Sequence, residues 1–370
     1  MSSRIAKSGR LQSAWGFLKC STPVWVAGLL GVSLTVDAGE PTLDVYWIDV
    51  EGGAATLIVT PDHESVLVDS GSAGQRDASR IIQAAKEAGL KKLDHFLLTH
   101  FHSDHFGGIA EVGQKLPVGS VYDNGIPARD PDGNPNGEGF FKAIQPYRVL
   151  ACDSRKVIQP GDGISLRQTT GAAPISLKCL GTRQTFLTKL GGAPNALCDQ
   201  SSLKAVDTSD NANSVVMLLE LGDFRLFAAG DLTWNMESRL ACPVNLVGGV
   251  DVYQVTHHGL QVSNNPLLMR SLAPTVSIMS NGTGKGCEPD TFATLAALPS
   301  LKGQYQIHRN LRADSQNNTV PEHIANLEKN CSGNYIKLSV SPDGLSYTVS
   351  IPAKGTKETY LTQSRKSGAK

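Results

Sequence analysis

The chain has 370 residues, of which 40% are apolar, and its 34 basic side chains balance its 34 acidic ones. This length fits one large domain or two ordinary ones, and a net charge near zero argues against a general nucleic-acid binder, which carries a basic excess. Low aromatic content and 37 glycines are typical of a turn-rich α/β protein and disfavour a coiled coil or a repeat array.

Residues 1–38 have the pattern of a secretory signal peptide. Four basic residues, the last of them Lys19, precede an apolar run from Val24 to Val36. The run is too short to span a bilayer comfortably, and small residues around Ala38 predict cleavage after that position. An uncleaved anchor or a wrongly assigned start codon is the alternative. We expect a secreted or periplasmic protein with no transmembrane segment after signal removal.

The cysteines agree with export. Cys20 lies in the leader, which leaves six of the seven cysteines in the expected mature chain: Cys152, Cys179, Cys198, Cys242, Cys287 and Cys331. An even number in an exported chain suggests disulfide bonds, but six cysteines permit 15 pairings and the sequence does not choose among them. No C-x-x-C pair occurs, which disfavours thiolate metal ligation and thioredoxin-like chemistry.

From Leu43 onward, short strands alternate with turns and helices. The predicted strands are 43–50, 56–60, 66–69, 95–99, 214–221, 224–229, 250–256, 275–279, 305–308, 335–341 and 346–351. The predicted helices begin at Asp77, Gly107, Leu232, Asn265, Pro289 and Pro321. Strands in both halves, with helices between them, predict two packed sheets with helices outside.

Two loop-rich stretches interrupt this pattern. Residues 123–172 and 181–212 are interpreted as loop insertions in a single domain over residues 39–352, and nothing in them is diagnostic of a substrate. Residues 353–370 are polar and basic, and we expect a disordered tail.

The strongest chemical signal is the segment His100-x-His102-x-Asp104-His105, directly after the apolar strand at 95–99. Such a density of polar side chains is costly to bury unless something satisfies them. Alternation in an extended turn points His100 and His102 the same way, so both imidazoles can share one cation. Asp104 and His105 then face a second position nearby. A polar surface loop is the alternative interpretation.

These side chains suit zinc, which accepts nitrogen and oxygen ligands at about 2.0–2.2 Å. Two ions about 3.5–4 Å apart form the usual two-metal hydrolytic arrangement. We expect two zinc ions per chain, with other divalent metals and a single-metal enzyme as open alternatives.

At these residues the chain resembles the metallo-β-lactamase-fold superfamily, whose signature is H-x-H-x-D-H. The resemblance covers about residues 43–352 and implies an α+β fold, the αββα four-layer sandwich, with metals at one edge of the sheets. Further pieces occur in the family's order: Asp69 after a strand, Asp231 after a glycine, and His257-His258-Gly259. The resemblance implies that Asp69 orients ligand histidines from behind and that the Asp231 carboxylate bridges both metals.

The His-His-Gly ending is similar to one branch of that superfamily. This branch includes the hydrolase-like domain of bacterial DNA-uptake channel proteins and the exported phosphorylcholine esterases, which the segment Ile48 to Gly53 also resembles. The resemblance makes His257 a neighbour that touches substrate, although His257 and His258 could exchange roles. The implied metal ligands are His100, His102, Asp104, His105, Asp231 and His258.

One departure from the family pattern concerns the first metal. Many members supply a third histidine before the bridging aspartate, but this chain has no histidine between His105 and His257. In the segment before Asp231, the side chains that could supply an oxygen ligand instead are Asp207, Asp210, Asn211 and Asn213, and water is another possible ligand.

The expected activity is hydrolysis of an ester, with a phosphoester as the leading substrate and a metal-bound hydroxide as the nucleophile. Asp104 and His257 are the candidate catalytic residues, Asp104 accepting a proton and His257 stabilising the substrate oxygen or protonating the leaving group. Acyl, lactone or β-lactam hydrolysis is the second possibility, and a non-catalytic metal-binding domain of the same fold is the third. The expected partner is a small-molecule or phosphoester substrate, and no clear nucleic-acid patch is predicted.

Overall fold

The first strand shows why the chain folds into layers. In β1 (Leu43–Trp47), Leu43, Val45 and Trp47 enter one hydrophobic core and Tyr46 enters another, because successive side chains of a strand face opposite sides of the sheet. A computed structural model describes residues 41–134, 136–188, 193–200 and 202–365. The expected signal peptide and its Cys20 lie outside these residues.

The first sheet has nine strands. It is antiparallel from β18 (Thr356–Leu361) to β3 (Ser65–Val68) and parallel from β3 to β6 (Cys152–Val157). In spatial order its strands are β18 (Thr356–Leu361), β17 (Ser346–Ile351), β16 (Ile336–Val340), β1, β2 (Thr56–Val59), β3 (Ser65–Val68), β4 (Leu93–Leu97), β5 (Val118–Asp123) and β6 (Cys152–Val157).

The second sheet contributes the other half of the sandwich. Its strands run parallel from β15 (Ile324–Asn326) to β11 (Phe224–Ala228) and antiparallel from β11 to the opposite edge. In spatial order they are β15 (Ile324–Asn326), β14 (Gly303–His308), β13 (Val276–Met279), β12 (Val252–Gln254), β11 (Phe224–Ala228), β10 (Val216–Leu221), β8 (Ile175–Thr182) and β7 (Gly163–Ile164), with β9 (Thr185–Phe186) paired to β8.

Helices cover the outer face of each sheet. Ile81, Val112 and Ile144 pack the first group against the first sheet, whereas Leu240 and Leu268 pack the second group against the second. The first group is α1 (Gln75–Glu87), α2 (Ser103–Phe106), α3 (Ile109–Gly113) and α4 (Glu138–Arg148), and the second is α5 (Trp234–Ala241), α6 (Pro266–Leu272) and α7 (Pro289–Ala296). A third core fills the space between the sheets. The predicted αββα sandwich is therefore confirmed.

Parallel strands bring the polar segments to one edge of the sandwich. Asp69 follows β3 and His100 follows β4 in the first sheet, while Asp231 follows β11 and His258 follows β12 in the second. Because the carboxyl ends of neighbouring parallel strands meet at the same edge of a sheet, these four side chains share a neighbourhood.

Two expectations about the chain's periphery are wrong in part. The tail expected at residues 353–370 contains β18, whose Tyr360 is buried and packs on Tyr347, so the residues described there are ordered structure. Basic side chains had suggested a solvated tail, but Tyr360 of this strand enters the core between the sheets. Similarly, the stretch 123–172 is not a loop throughout, because it contains α4, which packs on the first sheet, and β6, which pairs with β5 and extends that sheet.

One disulfide joins Cys198 to Cys242 and fastens the 181–212 stretch to the end of α5. The other cysteines of the described chain are thiols: Cys152, Cys179, Cys287 and Cys331. No helix among the described residues has the length and hydropathy needed to cross a bilayer.

Candidate metal centre

Asp69 holds the histidine segment in place. It lies just beyond β3 with φ 58°, and its Oδ1 accepts the backbone N–H of Thr99 at 2.8 Å. Its Oδ2 lies 2.8 Å from both Thr99 Oγ1 and His105 Nδ1. One buried carboxylate therefore fixes both the start of the segment and the ring of its last histidine, which is the orienting role that the resemblance implied.

Asp231 lies at the centre of the site. Its Oδ2 is 3.3 Å from His105 Nε2 and from His258 Nε2, 3.4 Å from His257 Nε2 and 4.0 Å from His100 Nε2. It follows Gly230, which has φ 53° and where a Cβ atom would lie 2.8 Å from Thr99 Cβ. Glycine at this position lets the second sheet bring its aspartate against the histidines of the first.

The six predicted ligands gather in two overlapping groups. His100, His105 and Asp231 form one group, and Asp104, His105 and His258 form the other. In the second group Asp104 Oδ2 lies 3.7 Å from His258 Nε2 and 3.8 Å from His105 Nε2. The sixth residue, His102, joins the first group because its Nδ1 lies 3.0 Å from His100 Nε2.

The turn after β12 places its two histidines at different positions in the site. His257 and His258 have φ values of 52° and 56°, so neighbouring side chains both reach the site. Both approach Asp231, and His258 also lies within 3.7 Å of Asp104. His258 Nδ1 is held by the carbonyl of Ser280 at 3.0 Å. His258 is thus the histidine of this pair that lies with the second group, and its role as a metal ligand stays a prediction.

The donor set fits divalent cations. His105 and His258 each have a buried Nε2 with no hydrogen-bond partner among the described residues, and both atoms face carboxylates. Buried imidazole nitrogens without a partner are costly. Nitrogen and carboxylate oxygen donors that lie within 4.8 Å of one another, as in each of the two groups, are ligands that zinc accepts. All six predicted ligands would hold the ions.

The carboxylates of the site favour positive charge among its histidines. Burial lowers the pKa of His105, but the carboxylates of Asp231, Asp69 and Asp104 outweigh burial and raise that pKa well above its usual value. Burial raises the pKa of Asp231, yet the surrounding histidines bring it well below its usual range. A proton on His105 balances the carboxylates without a metal, and a bound cation would replace it.

The oxygen donors proposed in place of the third histidine have other contacts. The Asp210 carboxylate accepts the backbone N–H of Phe101 at 2.6 Å and the side-chain amide of Asn213 at 3.0 Å. Asp207 accepts the N–H of Ser209 at 2.8 Å. Asp210 therefore anchors the histidine segment from the second sheet, while Asn211 keeps a buried Oδ1 without a partner among the described residues.

Sequence reasoning missed two residues beside the site. Lys285 Nζ lies 2.5 Å from Asp104 Oδ2, and the Asp132 carboxylate lies 3.0–3.1 Å from His102 Nε2. Each comes from a loop distant in sequence from its partner, and no local motif marks either residue. The pair Gly52-Gly53 is a related sequence feature, because glycines allow close approach of neighbouring chain segments. Gly52 packs on Gly282 of the loop that carries Lys285, and Gly53 packs on the Asp104 backbone.

Comparison with known proteins finds similarity to one superfamily model and to several curated proteins. Residues 48–173 match the model of the metallo-beta-lactamase superfamily. The chain is similar to recombination protein 2 of Haemophilus influenzae (24% identity, 72% of this chain) and to the competence protein ComA of Neisseria gonorrhoeae (24% identity, 65% of this chain). A shorter stretch, 18% of this chain, is 37% identical to the hydroxyacylglutathione hydrolase of Xanthomonas campestris.

The chain spans about a quarter of the length of these curated relatives: 27% of recombination protein 2, 28% of ComA and 23% of the hydroxyacylglutathione hydrolase. The similarity therefore concerns a domain and not the activities of the whole relatives. Taken with the two facing sheets and the histidine and aspartate side chains at their common edge, the matches show that the chain has the metallo-β-lactamase fold and that residues 48–173 are similar to that superfamily.

Proposed function

We propose that the chain is a hydrolase that depends on two divalent ions, preferably zinc, and that its substrate is a phosphoester. One observation carries this proposal. Two buried imidazole nitrogens, His105 Nε2 and His258 Nε2, have no hydrogen-bond partner in the part of the chain that the structure describes, and both face the same Asp231 oxygen. His105 comes from the end of the histidine segment, and His258 comes from the turn after β12. Asp231, His105 and His258 would therefore be among the residues that hold the ions, which would activate water when bound.

The ions, when bound, lower the pKa of a water molecule towards ~7 and neutralise charge on the substrate oxygen. The chain's own residues supply position and charge. Burial raises the pKa of Asp104, but His105, Lys285 and His258 lower it below its usual value, so its carboxylate is ionised at neutral pH and can accept a hydrogen bond from water. Burial lowers the pKa of His257 to about 4. A neutral His257 suits hydrogen bonding to a substrate oxygen better than protonation of the leaving group.

The preference for a phosphoester has two supports. The resemblance of the His257-His258-Gly259 turn points to a branch with phosphorylcholine esterases. The ammonium group of Lys285, whose side chain is 41% exposed beside Asp104, offers positive charge at the edge of the site. An anionic phosphoester would gain from that charge, whereas a neutral ester would not.

A second candidate is hydrolysis of an acyl ester or thioester. The similarity to a hydroxyacylglutathione hydrolase over part of the chain supports it. The same pair of ions could polarise a carbonyl in place of a phosphoryl group. A metal-binding domain without catalysis is the third candidate, supported by the missing third histidine and by the similarity to competence proteins.

Activity assays separate these candidates. We expect the purified, zinc-loaded protein to hydrolyse bis(p-nitrophenyl) phosphate or p-nitrophenyl phosphorylcholine faster than S-lactoylglutathione or nitrocefin. Asp104→Asn should reduce turnover at least about 100-fold, while Asp223→Asn, the same change at an exposed turn, should not. Faster thioester or lactam cleavage would replace the phosphoester proposal, and zinc binding without turnover of any substrate would favour the non-catalytic domain.

We also infer that the chain is exported. The leader pattern of residues 1–38 and the Cys198–Cys242 disulfide support export, because disulfides persist in oxidising compartments. Mass spectrometry of the protein recovered from its native host should find an N-terminus at Gly39. Recovery of the intact leader on cytosolic protein would contradict this inference.

A further inference from the structure

One of the site histidines is oriented differently from the other four. In His100, His105, His257 and His258, Nδ1 contacts a group outside the site, and Nε2 faces Asp231. The outer groups are Thr99 Oγ1, Asp69 Oδ2, Ser263 Oγ and the Ser280 carbonyl. His102 is reversed, because its Nε2 contacts Asp132 and its Nδ1 lies 3.0 Å from His100 Nε2.

The partner of the reversed histidine determines which nitrogen is free. Both oxygens of the Asp132 carboxylate lie near His102 Nε2, at 3.0 and 3.1 Å. A carboxylate only accepts hydrogen bonds, so Nε2 must carry the proton. In neutral imidazole this leaves the lone pair on Nδ1, beside His100 Nε2.

Asp132 is itself held in position by two further contacts. Its backbone N–H donates to Asp130 Oδ1 at 2.9 Å, and its Oδ1 accepts the N–H of Asp210 at 2.9 Å. Asp210 in turn accepts the N–H of Phe101, the residue between His100 and His102. These contacts connect the loop after β5 with the histidine segment and with the turn before β10.

We propose that Asp132 is a positioning residue for the first metal, which selects Nδ1 of His102 as the ligand atom and couples that site to the loop after β5. The proposal rests on metal binding at the site, as the proposed function does, but not on hydrolysis. The Asp132 side chain is 37% exposed, so the first site depends on how this surface loop is placed. Because no third histidine lies between His105 and His257, binding of the first metal depends more strongly on His102.

The direct test combines zinc titration with histidine NMR on the full chain. Calorimetry should resolve two zinc ions per wild-type chain, one bound tightly and the other more weakly. Asp132→Ala should weaken one equivalent about 10- to 100-fold and leave the other unchanged. The zinc affinity of Asp132→Asn should lie between those of the wild type and Asp132→Ala, because the asparagine amide oxygen still accepts a hydrogen bond from His102 Nε2. Asp153→Ala, an exposed aspartate of the same stretch, should behave as wild type.

The tautomer provides a readout that a general loss of loop structure would not give. Long-range ¹H–¹⁵N spectra of the zinc-loaded wild type should show one histidine bound through Nδ1 with a protonated Nε2, and Asp132→Ala should lose that signature. Unchanged zinc affinities and an unchanged His102 signature in Asp132→Ala would overturn this inference while leaving the proposed function intact. A wild type that binds no zinc would overturn both.

Discussion

At the scale of single residues, the chemistry of the site was largely predictable and its supporting contacts were not. The segment from His100 to His105 contains so many potential metal ligands that the sequence alone predicts a metal site there. Lys285 and Asp132 come from loops whose positions depend on the packing of both sheets. A lysine or an aspartate in a loop is ordinarily solvated, so its residue type alone indicates nothing.

Lys285 makes a prediction about substrate charge. Replacing it with methionine removes an ammonium group beside Asp104, so KM for the anionic bis(p-nitrophenyl) phosphate should rise about 3- to 10-fold. KM for a neutral ester should change little. Steady-state kinetics on both substrates, with Lys302→Met as an exposed control, measure the difference. An equal change in KM for both esters would argue against a role for this charge.

Glu237 makes a prediction about stability and pH. Burial raises the pKa of this fully buried carboxyl from 4.5 to about 7. Between these pH values the folded chain keeps a proton that the unfolded chain releases, so the free energy of unfolding should fall as pH rises. The contribution lost by pH 8 is on the order of 3 kcal/mol.

Urea unfolding at pH 5 and pH 8 measures this effect. Glu237→Gln should reduce the fall in the free energy of unfolding between the two pH values. Glu322→Gln, the same change at an exposed position, should leave that fall unchanged. If wild type and Glu237→Gln lose the same stability between the two pH values, Glu237 does not titrate in this range.

At the scale of elements, strands with clear alternation and tight turns were predicted best. The hairpin of β16 and β17 and that of β10 and β11 lie where the sequence places them. The helix predicted from Pro321 is wrong, since the chain makes a short 3₁₀ turn at Pro321–His323 and then adds β15 to the second sheet. Pairing with β14 overrides local helical preference there.

Gly53 links an element to the site, because a Cβ atom there would lie 2.5 Å from the Asp104 carbonyl oxygen. Gly53→Ala should push the Asp104 backbone away and weaken binding of the second metal, and a displacement near 1 Å costs turnover about 100-fold. Gly139→Ala, where a Cβ meets open space, is the matched control. Zinc calorimetry and turnover at wild-type level in Gly53→Ala would show that this close approach is dispensable.

At the scale of the whole molecule, the sequence predicted two packed sheets with outer helices but not the order of their strands. Order depends on long-range pairing, as when β16, near the end of the chain, inserts beside β1. The pairing of Cys198 with Cys242 was equally hidden among the permitted combinations.

That disulfide predicts redox-dependent stability. It closes a loop with a sequence separation of 44 residues, and the chain-entropy estimate for such a loop is about 4 kcal/mol. Dithiothreitol should lower the urea midpoint of wild type towards that of the Cys198→Ser/Cys242→Ser double variant and should not affect the variant. A wild-type midpoint indifferent to dithiothreitol would mean that the bridge is absent or contributes nothing.

Metal analysis of the purified chain tests the central claim most directly, since every proposed role depends on cations around Asp231. Mass-spectrometric metal analysis after dialysis should find about two zinc ions per wild-type chain, and Asp231→Asn, which removes a carboxylate charge from the centre of the site, should retain fewer. A wild type with no more bound metal than Asp231→Asn would contradict the claim.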